Sequence, residues 1–246
     1  MKTAIAIVIS TLVGCGPSAT RAPAAIGSTP GAAQATTATT TTDSATDDDE
    51  LDGRVITSLE EALASPRAVV HLKLEDQDLT ALPPELGLMI NLRTLDVDGN
   101  ALTSLPPGLS ALRLLEHLDL DDNQLTSLPP ELGRLGALRT LDLDDNQLTP
   151  LPDELWQLTS LEELDLTGNA LAEVPGLGRL TRLTELGLAG NRLTSLPAGI
   201  GALALVTRLD LTGNQLTSLP ADLGGMVGLE ALILEGFPKR VRCRRR

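Results

Sequence analysis

The chain has 246 residues, 42% of them hydrophobic, and a formal net charge of −14 at pH 7. It contains one Trp, one Phe and no Tyr, so its core must be packed from aliphatic side chains, and aromatic anchors for a partner are nearly absent. The acidic character disfavours a nucleic-acid binder, because phosphates would be repelled over most of the surface.

The first fourteen residues have the parts of an export signal. A basic start, Met1-Lys2, precedes an apolar run over residues 4–13, which is too short for a membrane span of roughly 20 residues. The run ends in Leu12-Val13-Gly14-Cys15. This resembles the lipobox of bacterial lipoproteins, and the resemblance implies a signal peptide over 1–14 and a lipid-modified Cys15 as the first mature residue. An ordinary signal peptide with a chance cysteine is the alternative.

Lipidation of Cys15 would fix where the protein resides. A thiol consumed by lipid cannot pair with the other cysteine, Cys243, so the two cysteines do not predict a disulfide. The predicted location is the bacterial cell envelope, to which the exported protein is anchored by lipid. Gly16, in place of Asp after the cysteine, resembles the sorting pattern that favours the outer membrane.

A segment rich in Thr and Ala follows the cysteine. It has no periodicity and almost no large apolar side chains, so residues 15–53 are predicted to form a disordered acidic tether. A tether of about 40 residues has a root-mean-square span of roughly 35 Å, enough to hold a folded domain off a membrane. At the other end, residues 239–246 form a basic tail, which either contacts anionic lipid or the acidic domain, or is solvated and uninvolved.

Between these termini the sequence repeats. The stretches LRTLDVDGNALTSLPPGLSAL, LEHLDLDDNQLTSLPPELGRL and LRTLDLDDNQLTPLPDELWQL begin at Leu92, Leu115 and Leu138. Residues 69–238 follow the pattern LxxLxLxxNxL and then xxLPxxLxxLxx, and so resemble the leucine-rich repeat family. Six asparagines recur at the same phase, 22 or 23 residues apart: Asn100, Asn123, Asn146, Asn169, Asn191 and Asn214.

The resemblance implies an α/β fold, the leucine-rich repeat solenoid. This is a curved right-handed superhelix with a parallel concave sheet, here of about eight short strands, and convex turns or short helices. In each LxL the leucines would point inward and the middle residue outward, and each Asn amide would satisfy backbone groups buried at the turn. No unit can bury its leucines alone, so stability requires stacked neighbours.

The open ends of the stack must be covered. Residues 54–68 are predicted to form the N-terminal cap, with a short helix over 57–64 in which Ser58 and Glu61 are placed as a capping box. At the other end, the ring of Phe237 is placed to cover the last layer.

Stacking aligns equivalent outward positions into columns, and the first half of the concave face becomes densely acidic while the second half is nearly neutral. Carboxylates on neighbouring strands, about 4.8 Å apart, repel and need counter-ions, raised pKa values or a cationic partner. The candidate binding residues are Asp96, Asp98, Asp119, Asp121, Asp122, Asp142, Asp144, Asp145 and Asp165.

The acidic face admits more than one interpretation. It either binds a cationic protein or peptide, or is a solvated face that keeps the protein soluble. Weak binding of a divalent cation such as calcium is less favoured, because no repeat supplies the spaced oxygen loop of a dedicated site. His71 and His117 lie two repeats apart, roughly 10 Å, which is too far to share a metal.

Sequence motifs of catalysis are lacking. The chain has no P-loop, nucleophile elbow, HExxH or paired-cysteine zinc motif, so neither an enzyme nor a cofactor is predicted. Trp156 takes a convex position where sister repeats carry Gly, as an exposed contact or as a packed side chain. The predicted function is a membrane-anchored module that binds a protein or peptide through the acidic concave face. The alternative is a structural or calcium-dependent module of the cell-envelope surface.

Overall fold

The computed structural model describes residues 6–8 and 53–234. Within these ranges ten short strands form one parallel sheet in the order β1-β10-β9-β8-β7-β6-β5-β4-β3-β2. The strands are β1 Ala6–Val8, β2 Val55–Ile56, β3 His71–Lys73, β4 Thr94–Asp96, β5 His117–Asp119, β6 Thr140–Asp142, β7 Glu163–Asp165, β8 Glu185–Gly187, β9 Arg208–Asp210 and β10 Ala231–Ile233. Strands β3 to β10 are the eight predicted repeat strands, and the predicted α/β leucine-rich repeat solenoid is confirmed.

Helical turns connect the strands on the convex side. One α-helix, α1, spans Leu59–Ala64. The prolines that precede several of the 3-10 turns adopt extended conformations at the N-cap, where their missing N–H costs no helical hydrogen bond. The 3-10 turns are Pro66–Ala68, Pro84–Leu88, Pro107–Ala111, Pro130–Arg134, Asp153–Gln157, Leu177–Arg179, Ile200–Ala202 and Ala221–Gly225.

The core is one continuous stack of leucines. Leu95 on β4, Leu118 on β5 and Leu141 on β6 are in register and almost wholly buried. The leucines of each convex turn, such as Leu132, close the layer from the other side. Each layer therefore depends on its neighbours, as expected for a solenoid.

The N-terminal edge carries a strand that the sequence did not predict. Strand β2 pairs with β3, and α1 begins after Ser58, whose Oγ accepts a hydrogen bond from the N–H of Glu61 at 3.4 Å. The Glu61 carboxylate pairs with Arg54, whereas a capping box would direct it to the backbone N–H of Ser58. The edge is thus covered by a strand and a helix.

The opposite edge is occupied by the start of the chain. Strand β1 runs parallel to β10, with Ala6 beside Ala231, so part of the predicted signal peptide lies next to the last repeat. Cys15, most of the tether, Phe237 and the basic tail with Cys243 lie outside the described residues. Within the described part of the chain, none of the helices has the length and apolar character needed to span a membrane.

The repeat of 22 residues has a shortened convex turn. Its 3-10 turn, Leu177–Arg179, has three residues, whereas the preceding turn, Asp153–Gln157, has five. Trp156 is only 2% exposed, and a Cβ added to Gly176 would lie 2.1 Å from its Cγ. The indole is therefore packed into the convex side, and its alternative interpretation as an exposed contact is wrong.

Candidate partner-binding face

The turn after each strand is held by the asparagine ladder. The Nδ2 of Asn100 donates to the carbonyl oxygens of Leu74 and Val97, at 2.8 and 2.9 Å, and its Oδ1 accepts from the N–H of Leu79 at 2.9 Å. The ladder thereby ties each repeat to the preceding one and fixes the ends of the strands. Equivalent bonds are made by Asn123, Asn146, Asn169, Asn191 and Asn214.

Four of the candidate aspartates lie side by side across the sheet. The register of the parallel strands places Asp96 beside Asp119, Asp119 beside Asp142, and Asp142 beside Asp165. We call these four residues the strand column. Lys73 precedes the column on β3, and Gly187 interrupts it on β8 before Asp210 resumes it.

The strand column also supports its own backbone. Oδ1 of Asp119 accepts from the N–H of Asp121 at 3.2 Å, and Oδ1 of Asp165 accepts from the N–H of Thr167 at 2.8 Å. Such bonds satisfy the N–H two residues on, where the short strand ends. This local role explains why LDL recurs in the sequence whether or not a partner binds.

Five further aspartates lie at the ends of the same strands: Asp98, Asp121, Asp122, Asp144 and Asp145. Asp122 and Asp145 have φ values of 45° and 43°, whereas the matching positions of sister repeats carry Gly99 and Gly168. A left-handed conformation is strained for most side chains but is tolerated by Asp better than by most residues. We call these five residues the turn acids.

Burial and mutual repulsion raise the pKa values of several of these carboxyls. Burial, reinforced by the charges of Asp119 and Asp165, raises the pKa of Asp142 to about 6, although the N–H of Asp144 opposes the shift. Burial and the charge of Asp96 likewise raise the pKa of Asp98 to about 6. Burial also raises the pKa values of Asp119, Asp121 and Asp144.

Asp96 is the exception, because it has a counter-ion. Burial opposes its ionisation, but the hydrogen bond and the charge of Lys73 outweigh burial and lower the pKa of Asp96. Lys73 Nζ lies 2.7 Å from Asp96 Oδ2 and 2.8 Å from Glu75 Oε1. Two of the predicted responses to repulsion, a counter-ion and raised pKa values, therefore occur on the same face.

One group of carboxylates has spacing suited to a cation. Oxygens of Glu75, Asp96 and Asp98 lie within 4.8 Å of one another. Oδ1 of Asp96 and Oδ1 of Asp98 are both buried and have no hydrogen-bond partner among the described residues. The Lys73 ammonium, however, already supplies a positive charge to two of the three. His71 and His117 take no part, since each hydrogen-bonds a threonine on the next strand.

A row of ion pairs beside the strands was missed by sequence reasoning. It alternates basic and acidic residues across successive repeats: Arg93 pairs with Glu116, Arg139 Nε lies 3.8 Å from Glu116, and Arg139 Nη1 lies 2.8 Å from Glu162. Arg182 Nη2 extends the row at 3.6 Å from Glu162. The signal was present in the sequence, because Arg93, Glu116, Arg139 and Glu162 follow the first leucine of successive repeats.

The interruption at Gly187 opens a depression of about 610 Å³ on the concave face. It lies across β6 to β9, partly in the half of the face that the sequence indicated as nearly neutral. The charged residues that line it are Asp142, Glu163, Asp165, Glu185, Arg208 and Asp210.

Comparison with known proteins agrees with this architecture. A family model described as leucine rich repeat matches residues 67–125, 90–148, 113–171 and 181–236, and a model of two leucine rich repeat copies matches 159–200. No curated protein matches the chain.

Solved structures with this fold come from bacteria and plants. The chain is 32% identical to a leucine-rich repeat protein of Leptospira interrogans, with a TM-score of 0.51, covering 75% of this chain and 59% of that protein. It is 33% identical to the leucine-rich repeat ectodomain of a plant membrane receptor kinase from Arabidopsis thaliana in complex with Casparian strip integrity factor 2, with a TM-score of 0.58, covering 69% of this chain and 21% of that one. A TDR receptor is 28% identical, with a TM-score of 0.63, and the match covers 75% of this chain and 38% of that receptor.

Proposed function

The chain belongs to the leucine-rich repeat family, and on this premise we propose that it is an exported, lipid-anchored binding protein whose acidic concave face recognises a cationic protein or peptide. One observation carries the proposal. Of the nine aspartates in the strand column and the turn acids, only Asp96 forms an ion pair within the described part of the chain. The other eight carboxyls form no ion pair with any residue that the structure describes.

A cationic partner would relieve this repulsion. Carboxyls with raised pKa values, such as Asp98 and Asp142, become easier to ionise when a positive charge approaches, so binding would be linked to proton release. A single-sign face would also steer a basic partner toward the sheet and would do so less at high ionic strength.

A solved structure with this fold supports partner binding, and not catalysis, as the proposed function. The plant ectodomain of 33% identity was solved in complex with Casparian strip integrity factor 2. The present chain spans only 21% of that ectodomain and 59% of the Leptospira protein, so ligand identity does not transfer. The general mode, in which a partner lies against the solenoid, is what we propose for this chain.

The test removes the negative charge of four turn acids. The baits are the wild-type protein and a variant in which four turn acids are changed to Asn. They are incubated at low salt with a cell-envelope extract of the source organism. The changed residues are Asp121, Asp122, Asp144 and Asp145. Asn preserves shape and tolerates the left-handed backbone of two of these positions. Loss of a basic partner from the variant supports the proposal, and equal recovery of partners by both baits contradicts it.

A matched control removes the same charge from the convex side. Its four positions are in the first turns of the 3-10 segments: Glu85, Glu131, Asp153 and Glu154, changed to Gln or Asn. This variant should retain the partner. If it loses the partner to the same extent, net charge rather than the concave face determines binding.

The anchor needs a separate experiment. Mass spectrometry of the membrane fraction should find a mature chain that begins at an acylated Cys15. Intact residues 1–14 or an unmodified Cys15 would overturn the lipid anchor and leave the binding proposal standing. Removal of residues 1–14 would also remove β1, so β10 would lose its neighbour in the sheet.

Calcium binding is the second candidate function. It rests on the spacing of Glu75, Asp96 and Asp98, whose oxygen ligands suit calcium. Calorimetric titration should give heat and thermal stabilisation at millimolar calcium if the site is used. Absence of both removes this candidate.

A further inference from the structure

The gap at Gly187 is a specific feature of the concave face. The register places Gly187 between Asp165 on β7 and Asp210 on β9. Strands are spaced about 4.8 Å apart, so the backbones of the two aspartates lie roughly 10 Å apart, and β8 contributes no side chain between them. The surrounding depression has a volume of about 610 Å³, within the range of about 300–1,000 Å³ typical of ligand sites.

The glycine supplies space, not backbone freedom. Five glycines of the described solenoid have positive φ values, and Gly187 is not among them, so its backbone suits any residue. A Cβ at this position would lie 2.0 Å from Oδ1 and 2.6 Å from Oδ2 of Asp165. The Asp165 carboxylate therefore leans over the gap that the missing side chain leaves.

The walls of the depression are negative. Five carboxylates and one guanidinium line it. The guanidinium, Arg208 Nη2, lies 3.7 Å from Asp210 Oδ2, which shows that a basic side chain can approach this wall. Asp165, whose carboxylate is closest to the gap, forms no ion pair with any described residue.

The floor of the depression is made of small and polar residues. Gly187 and Ala189 leave it free of large side chains, and threonines such as Thr167 and Thr184 line it beside them. Leu164 and Leu186 lie almost wholly buried in the core beneath. An open floor with carboxylate walls suits a long side chain that ends in a cation, and lysine and arginine have this form.

We propose that the depression at Gly187 takes a lysine or arginine side chain of the partner as the anchor of binding. Its charged head meets the Asp165 carboxylate, which leans over Gly187. The inference rests on the proposed function, since it names the group by which a cationic partner is held. The turn acids would then steer the partner, and the depression would fix its register along the solenoid.

The experiment fills the gap without changing charge. Gly187→Asn gives β8 the side-chain shape that Asp gives the neighbouring strands. Gly136→Asn is the control, because a Cβ at Gly136 meets no atom within 4 Å. Asp165→Asn is a second variant that removes the nearest carboxylate and leaves the backbone unchanged. The probe is a fluorescein-labelled tetra-arginine peptide, measured by fluorescence anisotropy beside a tetra-citrulline peptide of the same shape without charge.

Binding of the arginine peptide should weaken about tenfold or more in Gly187→Asn and in Asp165→Asn, and should be unchanged in Gly136→Asn. Wild-type affinity in both concave variants, with loss of binding in the variant of four turn acids, overturns the anchor and leaves the proposed function intact. Wild-type affinity in the four-acid variant as well overturns both. Equal binding of the citrulline peptide also overturns the anchor, because charge would then not be recognised.

Discussion

The ammonium group of Lys73 lies 2.7 Å from Oδ2 of Asp96, on the adjacent strand of the concave sheet. Asp96 is 8% exposed, and its pKa is lowered although burial alone would raise it. Among the residues that the structure describes, the next three members of the strand column have no such partner, and burial raises the pKa values of Asp119 and Asp142. One lysine therefore separates an ionised Asp96 from two carboxyls that resist ionisation.

Replacing Lys73 with Met should destabilise the protein by about 1 kcal/mol, because the lysine is half exposed and its ion pair is partly screened. The pKa of Asp96 should rise at the same time, since burial would then no longer be opposed by the hydrogen bond and the charge of Lys73. Thermal unfolding gives the first result and NMR titration of the Asp96 carboxyl the second. In the Lys73→Met and Asp96→Asn double variant, the destabilisation should be smaller than the sum of the single changes. Additive effects would show that the pair is not coupled.

Stability should increase as the pH falls from 8 to 5. Asp98 and Asp142 have folded pKa values of about 6, above the unfolded value of about 3.9. The folded state therefore binds more protons than the unfolded state between these values, and the free energy of unfolding rises as protons are added. Asp96 acts in the opposite sense, because its stabilisation is lost as pH falls through its lowered pKa. The midpoint of thermal unfolding should rise by about 2–4 °C for each kcal/mol gained.

Asp142→Asn is the matched variant for this pH dependence. It removes one group with a raised pKa, so the increase in melting temperature between pH 8 and pH 5 should become smaller. At pH 8 the variant should be as stable as wild type or more stable. A wild-type melting temperature that falls steadily from pH 8 to pH 5 contradicts the assignment.

The row of ion pairs should contribute modestly to the stability of the protein, and this contribution should depend on the salt concentration. Glu116 contacts both Arg93 and Arg139, so Glu116→Gln should cost about 0.5–1 kcal/mol at low ionic strength. The loss should shrink in 1 M salt, where the Debye length is about 3 Å. Glu173→Gln serves as control, because Glu173 is exposed and forms no ion pair with described residues. Equal effects of the two substitutions would exclude a specific contribution of the row.

Substitutions in the asparagine ladder should destabilise the protein much more than substitutions in the row of ion pairs. Removing the Asn146 amide leaves the N–H of Leu125 without its partner and takes one of two donors from the carbonyl of Leu120, which keeps Asn123 Nδ2. An unpaired buried group costs about 1–3 kcal/mol, so Asn146→Ala should destabilise by about 2–3 kcal/mol in chemical denaturation. Asn214→Ala, at a half-buried position near the end of the solenoid, should cost less. The reverse order would contradict a role determined by burial.

Periodicity predicted the solenoid because one spacing fixes strands, turns and core together. Leucine and asparagine recur at constant phase, and each repeat has one way to stack on the next. What the sequence did not reveal depends on side chains that meet across repeats. The ion-pair row follows from the same repeat register as the aspartate columns, whereas the depression at Gly187 and the Lys73–Asp96 pair depend on the rotamers of the side chains around them. Strand β2 was missed because two residues carry no periodic signal.

The turn of the 22-residue repeat and the side chain of Trp156 should be coupled in their contributions to stability. In the preceding repeat the matching position is Gly133, where a Cβ would lie 2.2 Å from the backbone oxygen of Glu154. Next to Trp156 the chain is one residue shorter and presents Gly176, and the indole fills the space that remains. Trp156→Ala should therefore cost about 3–5 kcal/mol, as for other buried aromatic side chains.

Gly176→Ala tests the same contact from the other side. Its new Cβ would lie 2.1 Å from Cγ of Trp156, so the indole or the turn must move, at a cost of about 1–3 kcal/mol. In the double variant with Trp156→Ala the overlaps with Cγ and Cδ1 are removed and only the Cβ contact at 2.7 Å remains, so the Gly176→Ala change should then cost less. The measurement is a double-mutant cycle from chemical denaturation, in which residues that share a contact show a coupling energy of about 0.5–3 kcal/mol. A coupling energy near zero would mean that the shortened turn does not depend on Trp156, since the two residues would then act independently.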